Sequence, residues 1–389
     1  MNVLKRMKKF VGDYVRYSDK LLLLLCFLAS GYGIVLVYSA AYTAQVGMSG
    51  VIMQIAASAL GILAALIISR IDYETICAFW PVYAGAALIL MILTFTSLGL
   101  NVAGTDDTAW LGIELGNRTL TFQPAELMKI VFIVTFSKHL SAVREHINRP
   151  LTVLLLCLHA AVPAGLVFLQ GDDGTALVFL FMFAAMMFAA GLKPIYFLIA
   201  GLLVCAAVPI IWNTLLSDPA KRNRFLCLVF VDEYRQTTGW QQYVALMSMG
   251  SGQLWGVGFL NGGKHGLYLF ARNNDMIFTV AGEEFGFIGA IALILIILFM
   301  VIKMLSNAMH ARDRLGMFIC IGMMSLVGFQ SAINIGMNVR LLPVIGITLP
   351  FFSAGGSSVA TLYLGIGLVL SVYYSSRTNT QEAIFAKRL

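Results

Sequence analysis

The sequence predicts an all-α polytopic membrane protein with ten transmembrane helices, both termini cytoplasmic, and one large extracytoplasmic loop between helices 7 and 8. Three observations predict it. The 389-residue chain is 59% hydrophobic and only 12% charged, with a mean hydropathy of +0.86, whereas soluble domains carry about 25% charged residues. Its apolar residues gather in runs near the ~20 residues that a bilayer crossing needs. Every second connection between those runs is basic, as the positive-inside rule requires.

Residues 1–20 form a basic segment, with Lys5, Arg6, Lys8, Lys9, Arg16 and Lys20 against Asp13 and Asp19, which places the amino terminus in the cytoplasm. The first apolar run continues to about Thr43 without a small-residue cleavage site, so it is expected to stay in the mature protein. Spans are predicted at about 21–43, 51–69, 75–99, 124–142, 150–169, 174–192, 195–213, 276–304, 315–339 and 354–375. The turns after the even-numbered spans hold Arg70; Lys138, Arg144 and Arg149; Lys193; and Lys303, Arg312 and Arg314. The 376–389 tail ends with Lys387 and Arg388. On the opposite side lie 100–123, the turn 170–174, the long segment 214–275, and 340–353. The 214–275 loop is too long for a simple connection and has apolar patches of its own, which predicts a partly re-entrant or surface-lying structure. Residues 21–375 thus form one membrane domain. No internal repeat or low-complexity tract is visible.

Several function classes are excluded. The net charge of +7 is spread over short loops and the amino terminus, which argues for membrane orientation and against nucleic acid. Cys26, Cys77, Cys157, Cys205, Cys227 and Cys320 fit neither a disulfide framework nor a zinc site, and read as small core residues. Gly250-Ser-Gly252 and Gly256-Val-Gly258 lack the strand, helix and downstream acid of a dinucleotide site.

The chemistry gathers on the outer side. Residues 264–289, KHGLYLFARNNDMIFTVAGEEFGFIG, place Asp275 at the mouth of a long apolar helix and Glu283 and Glu284 within it. Ionisable groups in a membrane span need partners and default to a functional hypothesis. An Asp ahead of an apolar run is also a good helix N-cap, so capping and chemistry both stand for Asp275. Gln123, Pro124, Glu126 and Lys129 open the fourth span, with Glu126 and Lys129 three apart on one helix face, where they can pair. The turn Gln170-Gly-Asp-Asp-Gly-Thr175 is either a plain polar turn or a carboxylate pair able to meet a cation. Lys221, Arg222, Arg224, Arg235, Lys264 and Arg272 share the large loop and can meet phosphate, although each alone reads as a solvated residue. Residues 334–358 are dense in Pro and Gly, as backbone lining a cavity at membrane depth is.

Six segments in order, FQPAELMK (122–129), QGDDGTA (170–176), GWQQ (239–242), GSGQLWGVG (250–258), NDMIFTVAGEEFGFIG (274–289) and NIGMNVRLLPVIGITLPFFSAGGSS (334–358), resemble the SEDS family of bacterial cell-wall proteins, the FtsW, RodA and SpoVE group. The resemblance covers nearly the whole chain. It implies a peptidoglycan glycosyltransferase of the bacterial cytoplasmic membrane that polymerises lipid II, the undecaprenyl-pyrophosphate-linked disaccharide-pentapeptide, usually with a class B penicillin-binding protein as partner. It puts the essential aspartate at Asp275 and matches Glu126, Lys129 and Asp172 to family motif positions. The sequence departs from the pattern at Phe270-Ala271, where Pro-Glu is common, at Thr108-Ala109, where an Arg pair is common, at Arg340, where glycine is usual, and at Ala354, where tyrosine is usual.

Glycan polymerisation needs a base for the attacking hydroxyl and cations for the departing diphosphate. The expected base is Asp275. The expected substrate contacts are Gln123, Glu126, Lys129, Asp172, Arg224, Arg272 and Ser357, with a divalent cation (Mg2+ or Mn2+) as an alternative partner for the diphosphate. Glu283 and Glu284 lie about 12–14 Å further along the helix, too deep for the same proton transfer, and are assigned to structural pairing, with Lys129 as one candidate partner. Two other classes stay open. A flippase for lipid II would use the same buried charges and broken helices with access from both sides, and an inactive scaffold would regulate a partner synthase.

Overall fold

The computed structural model describes residues 18–45, 47–100, 108–115, 118–214, 217–263 and 273–386. The fold is a helical bundle with one small sheet. In chain order the helices are α1 (Lys20–Thr43), α2 (Ser49–Ile68), α3 (Tyr73–Ala78), α4 (Trp80–Leu93), α5 (Pro124–Val143), α6 (Pro150–Leu169), α7 (Asp173–Ala189), α8 (Pro194–Asn213), α9 (Pro219–Val229), α10 (Val231–Tyr234), α11 (Trp240–Gly252), α12 (Ile277–Glu284), α13 (Gly286–Met309), α14 (Arg314–Asn338) and α15 (Gly356–Ala386). Each predicted span is met by a helix. Seven helices among the described residues, α1, α2, α6, α8, α13, α14 and α15, are long and apolar enough to cross a membrane, and α4 and α7 are shorter apolar helices.

Local chemistry sets the helix starts. Asp19, Asp72, Asp172, Asp218 and Asp313 each accept a backbone N–H at the head of the helix that follows, which satisfies donors left without an intrahelical partner. Proline occupies the first turn of α4, α5, α6, α8 and α9, where its missing N–H costs nothing. The segment predicted as a plain loop at 100–123 contains strands β2 (Trp110–Leu115) and β3 (Arg118–Phe122), antiparallel with Leu111 opposite Phe122, while β1 (Gly99–Leu100) pairs along β2.

Helices α5, α14 and α15 form the centre. Phe132, Phe136, Phe179, Phe318 and Tyr363 are fully buried there. The outer helices α2, α6 and α8 show Leu, Ile and Val instead, as a lipid-facing surface does. No residue of α8 is buried. A small residue lets α1 close on the turn before α15: a Cβ on Gly33 would strike the backbone of Phe351 and Phe352. Cys26, Cys77, Cys227 and Cys320 are buried and free as read, but Cys157 and Cys205 are exposed on α6 and α8.

Three predicted elements need correction. The single span at 276–304 is broken at Phe285 into α12 and α13, with Gly286 at φ +67. The cause is a docked loop: α11 packs along α12, and the chain after it donates Val257 N to Glu283 O at 3.0 Å and Gly258 N to Glu284 O at 3.2 Å, while Gln253 O accepts Phe287 N at 2.8 Å. The segment 214–275 thus has structure of its own, as its length suggested, with α11 and the chain after it laid against α12. The span at 75–99 likewise begins as the separate short helix α3, with the break at Phe79 just ahead of Trp80-Pro81. The last helix runs on past 375 to Ala386, through most of the predicted tail.

Candidate active site

A cavity of about 630 Å³ opens at the end of the bundle that carries the amino-terminal turns of α5, α7, α12 and α15. Asp275 lines it from the turn before α12, and Gln123, Glu126, Asp172, Asp173, Lys221, Arg224, Gln330, Ser357 and Ser358 line it from the surrounding elements. Seven of the predicted functional residues thus stand in or directly behind one wall. Arg272 lies outside the described residues, as do Phe270 and Ala271.

Asp275 does not cap its helix. The N-cap of α12 is Met276, without a side-chain cap hydrogen bond, and among the described residues the Asp275 carboxylate accepts no hydrogen bond. Its backbone carbonyl is held instead, by Asn334 Nδ2 at 2.8 Å and Asn338 Nδ2 at 2.9 Å. Burial first, and the Asp172 carboxylate second, push the Asp275 carboxyl up to about 6. That value suits a base working near neutral pH. Asp172 is itself raised by burial. Its Oδ1 accepts Thr175 N at 2.8 Å as the N-cap of α7, and its Oδ2 accepts Gln123 Nε2 at 2.9 Å.

Glu126 and Lys129 pair as their spacing suggested, at 2.9 Å and nearly out of solvent. Each has one further partner: Ser358 Oγ donates to Glu126 Oε2 at 3.1 Å, and Lys129 Nζ donates to Gln330 Oε1 at 3.0 Å. Lys129 is 1% exposed. Its ammonium therefore faces the core behind Glu126, which removes it as a direct diphosphate contact and as the partner of Glu283 or Glu284. Those glutamates hold α1 and the loop after α11: Glu283 Oε1 accepts Gly263 N at 2.9 Å, and Glu284 accepts Ser39 Oγ at 2.5 and 2.6 Å.

Among the described residues, the cations lining the cavity come from α9. Lys221 and Arg224 are three apart on that helix, and Lys221 reaches Asp173 Oδ2 at 3.7 Å across the mouth, with both side chains well exposed. Helix α9 is tethered on both sides: Arg222 donates to Trp212 O at 3.0 Å and lies over the Trp212 ring, and Arg340 Nη2 donates to Cys227 O at 2.7 Å. Arg340 stands at φ +63, a left-handed backbone that explains why glycine is usual at that place in the motif. Ala109 and Ala354, two further departures, both line the cavity.

Sequence reasoning missed Gln54, Gln330, Thr238 and Gln241. The last three line the cavity, and Gln54 lies behind it on α2 with 0% exposure. For Gln54 and Gln330 the available signal was a polar amide inside an apolar run, because a buried amide must find partners.

A sequence model of the FtsW/RodA/SpoVE family, described as cell cycle protein, matches residues 19–378. The chain is 29% identical over 371 residues to stage V sporulation protein E of Bacillus subtilis, covering 92% of this chain and 98% of that one. It is 30% identical over 377 residues to a probable peptidoglycan glycosyltransferase FtsW of Geobacter sulfurreducens, covering 93% and 96%. Among solved structures, it resembles a chain from the structure describing structural coordination of polymerization and crosslinking by a peptidoglycan synthase complex, with a TM-score of 0.77, 28% identity, and coverage of 92% and 98%. It also resembles the rod shape determining protein RodA of Thermus thermophilus, with a TM-score of 0.67, 28% identity, and coverage of 92% and 97%.

Proposed function

Because the chain belongs to the FtsW/RodA/SpoVE family of cell cycle proteins, we propose that it is a multi-pass membrane peptidoglycan glycosyltransferase that polymerises lipid II into glycan strands. The ten helical runs cross the bacterial cytoplasmic membrane with both termini inside, which puts the cavity on the outer face. A class B penicillin-binding protein is the expected partner, in keeping with a relative that belongs to a complex coordinating polymerization and crosslinking.

The observation that carries the reading is the pairing of an unengaged carboxylate with two cations across one cavity. The acceptor sugar hydroxyl attacks the anomeric carbon of the donor. Asp275, whose carboxylate accepts no hydrogen bond among the described residues, takes the hydroxyl proton as the new glycosidic bond forms. The bond from the anomeric carbon to the diphosphate breaks, and the electron pair leaves with the diphosphate. Lys221 and Arg224 meet that charge from α9. The Lys129 ammonium keeps Glu126 fixed, and Glu126 in turn holds Ser358 at the head of α15. A divalent cation, Mg2+ or Mn2+, would supply the same charge neutralisation as an alternative, and the described residues gather no group of three or more His, Cys, Asp or Glu side chains that would hold it without the diphosphate. Because polyprenyl tails need contact with lipid, the substrate is expected to enter the cavity sideways from the bilayer.

The lining residues come from one end of the bundle, which favours polymerisation over a flippase with access from both leaflets. The test is lipid II polymerisation by the purified protein, alone and with penicillin-binding partners, comparing wild type with Asp275→Asn at equal folded protein. Glycan chains from wild type only are expected. Equal function of Asp275→Asn in cells, with no chains under any pairing, would establish the scaffold reading instead.

A further inference from the structure

Gln54 lies inside α2, fully buried, and both ends of its amide are used. Nε2 donates to Phe351 O at 3.2 Å, and Oε1 accepts Gly355 N at 3.2 Å. An amide that bridges a carbonyl to an N–H four residues later fixes the turn between them. Phe351 in that turn has φ +69, a conformation costly for a side chain with a Cβ. Phe351 packs edge-on to Tyr363 and Phe352 edge-on to Tyr32, so the turn is gripped by rings as well.

The same turn then holds the segment that carries Asp275. Ser353 Oγ donates to Asn274 O at 2.7 Å, and Ala354 N donates to Asn273 O at 2.8 Å. The next carbonyl, that of Asp275, receives the amides of Asn334 and Asn338 from α14. Thr279 Oγ1 donates to Asn338 Oδ1 at 2.8 Å and so orients that amide. Three consecutive carbonyls are thus held from two sides, while the Asp275 carboxylate is left to the cavity.

We infer that Gln54 is a positioning residue: through the Phe351–Gly355 turn it sets where the Asp275 carboxylate stands relative to the substrate. The inference rests on Asp275 being the base of the reaction proposed above. Gln54 does not line the cavity, so it acts on placement and not on substrate contact. Placement matters steeply, because a misplacement of about 1 Å by a remote mutation can cost about a hundredfold in rate.

The experiment uses the full-length protein with lipid II as substrate. Gln54→Leu removes both hydrogen bonds at similar volume, and Gln54→Glu keeps an acceptor for Gly355 N while losing the donor to Phe351 O. At equal folded protein, Gln54→Leu is expected to lower kcat by about tenfold to a hundredfold with KM for lipid II within about twofold, and Gln54→Glu to fall between it and wild type. A water-soluble carbodiimide with an amine, mapped by mass spectrometry across pH, reads the Asp275 carboxyl directly. Its labelling midpoint is expected to move in Gln54→Leu. Unchanged kcat and an unchanged labelling profile, with Asp275→Asn inactive, would overturn the inference and leave the base assignment intact. An Asp275→Asn variant as fast as wild type would remove the base assignment and this inference with it. If Gln54→Leu does not fold, Ser353→Ala breaks the next link and carries the same expectation, and full kcat there overturns the relay.

Discussion

Asp172→Asn should move the acid limb of the pH–rate profile toward lower pH. The base must be ionised to accept a proton, so the rate rises with pH through the Asp275 value and the limb has its midpoint near 6 in the wild type. A carboxyl displaced from 3.8 to about 6 carries roughly 3 kcal/mol of bias against its charged form. Burial is the larger cause and the Asp172 charge the smaller. Removing that charge therefore recovers less than half of the displacement, a fall in the midpoint of at most about 1 pH. At pH 6 the ionised share of Asp275 would rise from about one half to at most about nine tenths, and the rate by less than about twofold. Asparagine keeps an oxygen for Thr175 N, so α7 stays capped. Initial rates of lipid II polymerisation, measured from about pH 4.5 to 8 with substrate well below KM so that they report kcat/KM of the free enzyme, read the limb. A midpoint that stays put or rises would refute the coupling between the two carboxylates, and a uniform loss at every pH would assign Asp172 a different task.

Lys129→Met should destabilise the fold by about 3–5 kcal/mol, because it strands the Glu126 carboxylate in a buried place, while the double variant with Glu126→Gln should recover much of the loss; thermal unfolding in detergent measures both. Lys221→Glu should leave stability within about 1 kcal/mol, since its bridge to Asp173 is exposed, yet raise KM for lipid II several-fold in steady-state kinetics. Gly286→Ala should cost at least about 1–2 kcal/mol in the same unfolding assay, because φ is +67 there and a Cβ would meet the backbone of Leu254 and Gly256.

Much of this was legible in the residues. Span positions follow from apolar runs, and the Glu126–Lys129 pair follows from helical spacing. Asp275, Asp172 and Gln123 fall at one cavity because motif order places all three at the same end of the bundle. The rest depends on contacts that no local pattern encodes. Lys129 turns to Gln330, 201 positions away, and so cannot reach the diphosphate. The break at Phe285 comes from a loop donating to carbonyls that a regular helix would have kept for itself. The cationic side of the cavity is fixed by Arg222 on Trp212 and Arg340 on Cys227 O, whereas the sequence shows only six scattered basic residues. Gln54 gives no local sign of its role, since its partner Phe351 lies nearly 300 positions downstream.

The hydrogen bonds from Ser39 to Glu284 also bear on how the protein is made. The serine enters the membrane 245 residues before its partner, and in the meantime its hydroxyl can bond only to a carbonyl of its own helix. Helix α1 therefore waits, inserted but unlocked, through the synthesis of most of the chain. The closure that seats it also seats the loop after α11, because Glu284 accepts Gly258 N on its backbone carbonyl. Such long-range closure is slow. Maturation should accordingly end in one late step that completes the active-site end of the bundle, and truncations before residue 284 should yield chains that insert but never become resistant to protease.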